Sequence, residues 1–150
     1  MEHRISHQEM DRLLKQLEDD YVNAIRDDNS TNVEEFIEQF LYKSWTYNDQ
    51  NIENIKRVLG RYKSGDIYQG VFSAAFNEMV DHLQIRLEQL DQDRDYPVLH
   101  SEHGASLLVA FVDGLIIQYY LGVYDIERLR KMTPHLTQVL LNALKREPDG

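Results

Sequence analysis

Apolar residues recur along this chain at spacings of three and four, with polar punctuation between the resulting stripes, so the pattern predicts helices joined by short loops and no convincing strand. In the first segment Ser6 and Glu9 suit a capping box. The stripe Met10, Leu13, Leu14, Leu17, Tyr21, Ala24 and Ile25 follows and stops in Asp27-Asp28-Asn29-Ser30. A second capping box, Thr31 with Glu34, opens a helix carrying Val33, Phe36, Ile37, Phe40 and Leu41, with Trp45 and Tyr47 near its end. Asn48 or Asp49 is expected to cap a short third helix through Ile52, Ile55, Val58, Leu59 and Tyr62, which Lys63-Ser64-Gly65 stops. From about Asp66 to Arg94 a long helix is expected with Val71, Phe72, Ala75, Phe76, Met79, Leu83, Leu87 and Leu90 inside, Gly70 interrupting its first turn.

The segment from about Ser101 to Leu121 differs from the rest. Leu107, Leu108, Val109, Ala110, Phe111, Val112, Leu115, Ile116 and Ile117 leave it little polar face, and a helix apolar nearly all round is covered on both sides. In a chain of 150 residues one side can meet the core. The other is then expected to meet another subunit, because an exposed apolar patch of that size marks an interaction site. The last segment begins at Asp125 and carries Ile126, Leu129, Met132, Leu136, Val139, Leu140, Ala143 and Leu144. Pro134 is expected to kink it, or to restart it with Thr133 as cap.

Length sets the domain count at one, spanning residues 1–150. The net charge of -10, with acids in every segment, opposes a phosphate backbone, so direct nucleic-acid binding is not expected. The chain has no cysteine, which removes disulfides, thiolate zinc sites and thiol nucleophiles and suits a cytoplasmic setting. No apolar run is long enough to cross a bilayer, and no membrane association is expected.

The stretch Gly104 to Tyr120, in which Asp113-Gly114-Leu115 follows an alanine- and leucine-rich turn, resembles the penultimate long helix of TetR-type transcriptional regulators. Asp125 to Leu144 looks like the family's last helix, and Ile5-Ser6-His7-Gln8-Glu9-Met10 looks like the junction between recognition helix and sensor domain. The resemblance implies an all-α bundle of about six helices similar to the family's C-terminal sensor and dimerisation domain. Its last two long helices would form half of a four-helix dimer interface, with Gly114 allowing close helix approach. Val112, Ile116, Tyr119, Tyr120, Leu136, Val139, Leu140 and Ala143 are the expected interface residues. Family members carry a helix-turn-helix ahead of this point, whereas Met1 stands almost at the junction here.

The expected function is therefore regulation of transcription without DNA contact, through a homodimer or through pairing with a full-length TetR-like regulator, which would lose one half-site contact. Alternatives are the ligand-sensing domain of such a repressor, its DNA-binding half lost or removed, and a helical adaptor. A sensor domain implies a cavity for a small apolar effector, for which Trp45, Phe72, Phe76, Met79, His82 and Phe111 are candidates beside the plainer reading of each as core. His100 and His103 have a spacing that suits one metal, but His-Glu-x-x-His is absent, so neither metal nor cofactor is expected. Gly-x-Ser-x-Gly and a phosphate-binding glycine loop are also absent, and catalysis is not expected.

Overall fold

The computed structural model describes residues 7–54, 56–57, 69–101 and 104–145, without the side chains of 7, 10, 11, 14 and 69–76. Within them the stripes become α1 (His7–Arg26), α2 (Val33–Gln50), α3 (Gln69–Leu90), α4 (Gly104–Tyr120) and α5 (Ile126–Lys145), with a 3-10 turn at Pro97–His100. The fold is all-helical, and no strand occurs among the described residues. Positions 52–54 and 56–57 are helical too. The Ser6 cap, the rest of the expected third helix, the expected helix start at Asp66, and His103 lie outside the described residues.

Several helix ends differ from expectation for local reasons. Asn32, not Thr31, caps α2: its side chain accepts the Glu35 N–H at 2.8 Å, while the Thr31 hydroxyl donates to the Glu35 carboxylate. Asn48 and Asp49 cap nothing, because α2 runs on to Gln50 and Asn48 donates its amide back to the Ser44 carbonyl. At the end of α4 the N–H of Val123 bonds the Gln118 carbonyl and that of Gly122 bonds Tyr119. This is a Schellman closure, and Gly122 supplies its positive φ of 82°. Asp125, where the last segment is expected to begin, caps α5 by accepting the Arg128 N–H at 2.7 Å.

α5 passes through Pro134 as one helix, so the anticipated restart does not occur. Pro134 is exposed, which leaves the carbonyl deprived of its helical partner free to be solvated. Thr133 is no cap. Its buried hydroxyl donates to the Leu129 carbonyl at 2.7 Å and accepts the indole N–H of Trp45 at 2.9 Å. That bond places the largest core side chain of α2 against α5, and α5 packs chiefly on α2, touching α4 little. The last two helices thus share a core without forming the close pair expected of them.

Elsewhere α1 packs on α3, and α3 on α4. Leu83 and Leu87 of α3, Leu99 of the 3-10 turn and Leu108 of α4 are completely buried in one cluster with Ile37, Leu41 and Leu129. Each such leucine contributes roughly 1.5–3 kcal/mol over leaving it in water. Polar clamps hold the loops. Arg86 of α3 reaches across to the Asp28 carboxylate at 3.2 Å and the Ser30 carbonyl at 3.0 Å. Buried Asp91 accepts the backbone N–H groups of Asp95 and Tyr96, and His100 at 2.8 Å. Gln84 donates to the Leu99 carbonyl and accepts the Ala105 N–H, which fixes the start of α4. There a side chain on Gly104 would put Cβ 2.7 Å from the Leu99 carbonyl oxygen, so the backbone itself demands glycine.

Candidate functional site

α4 carries only one charged residue, Asp113, and apolar groups on two roughly opposite sides. Ala105, Leu108, Val109, Val112 and Ile116 face the core. On the other side Leu107, Ala110, Gly114, Ile117 and Leu121 follow one another at spacings of three and four, and all are exposed. Their exposure is substantial, at 53% for Leu107, 49% for Ile117 and 75% for Leu121. Spacing of this kind is an a/d seam, the pattern by which one helix receives another. Its middle is thin. A Cβ built on Gly114 meets nothing within 4 Å, so no helix among the described residues approaches there.

The residues expected at a subunit interface divide accordingly. Val112, Ile116, Leu136 and Leu140 are buried within the chain, where its own core takes up their apolar area. Tyr119 and Tyr120 turn onto α2, donating to Asp49 at 2.6 Å and Asn48 at 2.9 Å. The Asp49 bond, with partial burial, lifts the Tyr119 hydroxyl to about 12. Val139 and Ala143 remain exposed on α5. The seam that does face solvent was legible in the spacing from Leu107 to Leu121, but in a nearly all-apolar helix two stripes overlap and neither stands out. Asp113 flanks this seam as an exposed residue, and desolvation by neighbouring protein atoms raises its carboxyl to about 6.

The expected ligand residues with described side chains sit in different settings. Trp45 is core, Phe111 and Met79 are half-buried, and His82 is exposed beside a shallow cleft near Arg86. The side chains of Phe72 and Phe76 lie outside the described set. A groove of roughly 410 Å³ does exist, between the C-terminal half of α1 and α2. Tyr21, Phe36, Phe40, Tyr42 and Tyr47 line it, with Asp20, Asp28 and Lys43 as its charged groups. Tyr21 meets Phe40 edge-on at 5.6 Å and Phe40 stacks on Phe36 at 5.9 Å, which makes one continuous aromatic wall.

The polar groups of this groove are not equivalent. Asp28 is held by Arg86, by the N–H and hydroxyl of Ser30, and by Lys43 at 4.0 Å. Asp20 accepts the Tyr47 hydroxyl at 2.8 Å and has no cation within ion-pair distance among the described residues. Burial first, and that bond second, hold the Tyr47 hydroxyl well above its ordinary value. The Tyr21 hydroxyl is buried without a hydrogen-bond partner and is raised as well, chiefly by burial and then by the charge of Asp113. Sequence reasoning missed this groove because its aromatics belong to two stripes, each of which also reads as core.

Among the described residues no cluster of three or more metal-binding side chains occurs, and no helix is long and apolar enough to cross a membrane. Comparison with known protein families, curated proteins and solved structures finds no match.

Proposed function

We propose that this chain is a regulatory protein that acts by pairing with a second helical subunit, in the first instance another copy of itself, through the outward face of α4. One observation carries the reading: Leu107, Ala110, Gly114, Ile117 and Leu121 form an exposed, uncharged seam. Isolated exposed leucines are ordinary on protein surfaces, whereas a continuous apolar stripe on one helix is a recognition feature. The seam suits a two-fold partner. Its small residues lie centrally and its large ones at the ends, so two copies crossing at Gly114 in opposite directions would set Leu107 of each beside Leu121 of the other. The likeness of this helix to the penultimate helix of TetR-type regulators supports a setting in transcription, and the net charge of -10 supports action through protein and not through DNA.

The absence of cysteine allows a clean test. Ala110→Cys or Gly114→Cys, oxidised under mild conditions, should give a covalent dimer, while Glu127→Cys on the exposed start of α5 should not. Sedimentation of the unmodified chain should show concentration-dependent dimers. A chain that stays monomeric at every concentration, with no cross-link at either seam position, would overturn the reading.

The groove between α1 and α2 favours a second reading, that of a small-molecule-binding domain. Its volume and mostly apolar lining fall in the range of ligand sites. Pairing and ligand binding are compatible, because the two features involve different helices.

A further inference from the structure

We propose that the groove between α1 and α2 takes a lipophilic organic cation, a quaternary or protonated amine on an aromatic or branched apolar body, with its charge set against Asp20. The inference rests on the ligand-binding reading and adds the chemical class of the ligand.

Three features of the groove select that class. Its lining includes the aromatic wall of Tyr21, Phe40 and the buried Phe36, and aromatic surroundings favour cations that shed their water easily. Among the described residues Asp20 is its carboxylate without a cation at ion-pair distance, and the Tyr47 hydroxyl donating to it at 2.8 Å fixes its position at the wall. The third is the negative end of a helix dipole: Ala24 and Ile25 of the groove belong to the last turn of α1.

Other ligands fit less well. An anion would meet Asp20 in a chain that already carries a net charge of -10. The cation that could receive it, Lys43, is turned to Asp28. A neutral apolar molecule would strip water from Asp20 and return nothing to it. Only a cation with an apolar body satisfies both the wall and the carboxylate.

Tetraphenylphosphonium and tetraphenylborate test the proposal, since they share nearly the same apolar body and differ in the sign of charge. Calorimetric titration of the whole chain should show saturable binding of one phosphonium per chain, with the borate at least tenfold weaker. Asp20→Asn should weaken the phosphonium at least fivefold and narrow the gap between the ions, while Asp93→Asn, an equal loss of charge on the exposed turn after α3, should change neither. Ala24→Trp, which fills the groove from the exposed side of α1, should abolish binding of both, and circular dichroism of each variant checks the fold. Equal affinity for the two ions would overturn the cation preference and leave a ligand-binding domain standing. Failure of both ions to saturate would remove both readings. An Asp20→Asn variant indistinguishable from Asp93→Asn, or an Ala24→Trp variant that binds normally, would show that the phosphonium responds to overall charge and overturn the site.

Discussion

α4 presents two faces of similar composition in opposite circumstances. Leu108 on one face is completely buried, while Leu107, its neighbour in the chain, is half exposed. The helix period alone separates them, since successive residues are turned by about 100°. The same contrast divides its glycines. Gly104 has backbone within 2.8 Å of where its Cβ would sit, and Gly114 has open space. Apolar character therefore says that a face will be covered, and only the arrangement of neighbouring helices says which face this chain covers by itself.

Leu108→Ala tests the inward face and has the largest expected effect. Deleting a fully buried leucine side chain should lower the unfolding free energy by about 2–5 kcal/mol, read from urea denaturation. Leu107→Ala should cost far less in the isolated chain. Equal losses would erase the distinction between the faces.

Gly104→Ala comes next. The new methyl would press on the Leu99 carbonyl oxygen and Cα and on the Val98 carbonyl oxygen, all backbone atoms that cannot swing aside. The 3-10 turn or the start of α4 must shift, at an expected cost of about 1–3 kcal/mol in the same measurement. An unchanged stability would mean that this turn is held less firmly than the Gln84 bonds imply.

Ile117→Asp addresses the outward face. As a surface change it should alter the stability of the isolated chain by no more than about 0.5 kcal/mol. A carboxylate inside the proposed seam should nevertheless shift sedimentation entirely to monomer. If dimers persist with unchanged affinity, pairing does not use this face. Gly114→Ala sharpens the point with opposite signs: the isolated helix should gain up to about 1 kcal/mol from the better helix former, while a crossing at Gly114 should weaken because the added methyl separates the helices.

How far the sequence shows these things varies by element. Spacing places most of the α2 and α5 stripes, and the described parts of those of α1 and α3, because each has a polar side that marks the apolar one, although Ala24, Val139 and Ala143 are exposed. It fails at Thr133 as the cap of a restarted helix, where a buried Trp45 indole on a distant helix recruits the threonine hydroxyl that a local reading assigns to a cap. It fails again at Asn48 and Asp49, which are good caps in isolation but lie on α2, whose Tyr47 and Asn48 already engage Asp20 and Tyr120. The expected interface list took from α4 only core residues and the two tyrosines that turn onto α2, and none of the outward seam, since a helix with a single charge offers no polar reference from which to tell inside from outside. The groove was least legible, because it exists only where α1 meets α2.

Asp113 provides the finest test, since it is the one charge on α4 and lies beside the outward face. Its carboxyl is raised from the ordinary 3.8 to about 6 by desolvation, so the folded chain binds this proton more tightly than the unfolded chain does. By linkage, the stabilisation this group confers is fully present below about pH 3.8 and is lost as pH rises through 6. Urea denaturation across that window should show stability falling with rising pH by an increment that Asp113→Asn removes, small because partial solvent contact screens the charge. Other carboxylates titrate in the same window, so the informative quantity is the difference in slope between the chain and its variant. Pairing should follow the same sign, tightening as pH falls and Asp113 beside the seam becomes neutral. A dimer affinity independent of pH in both proteins would place Asp113 outside the paired surface and confine contact to the Leu107 and Leu121 ends.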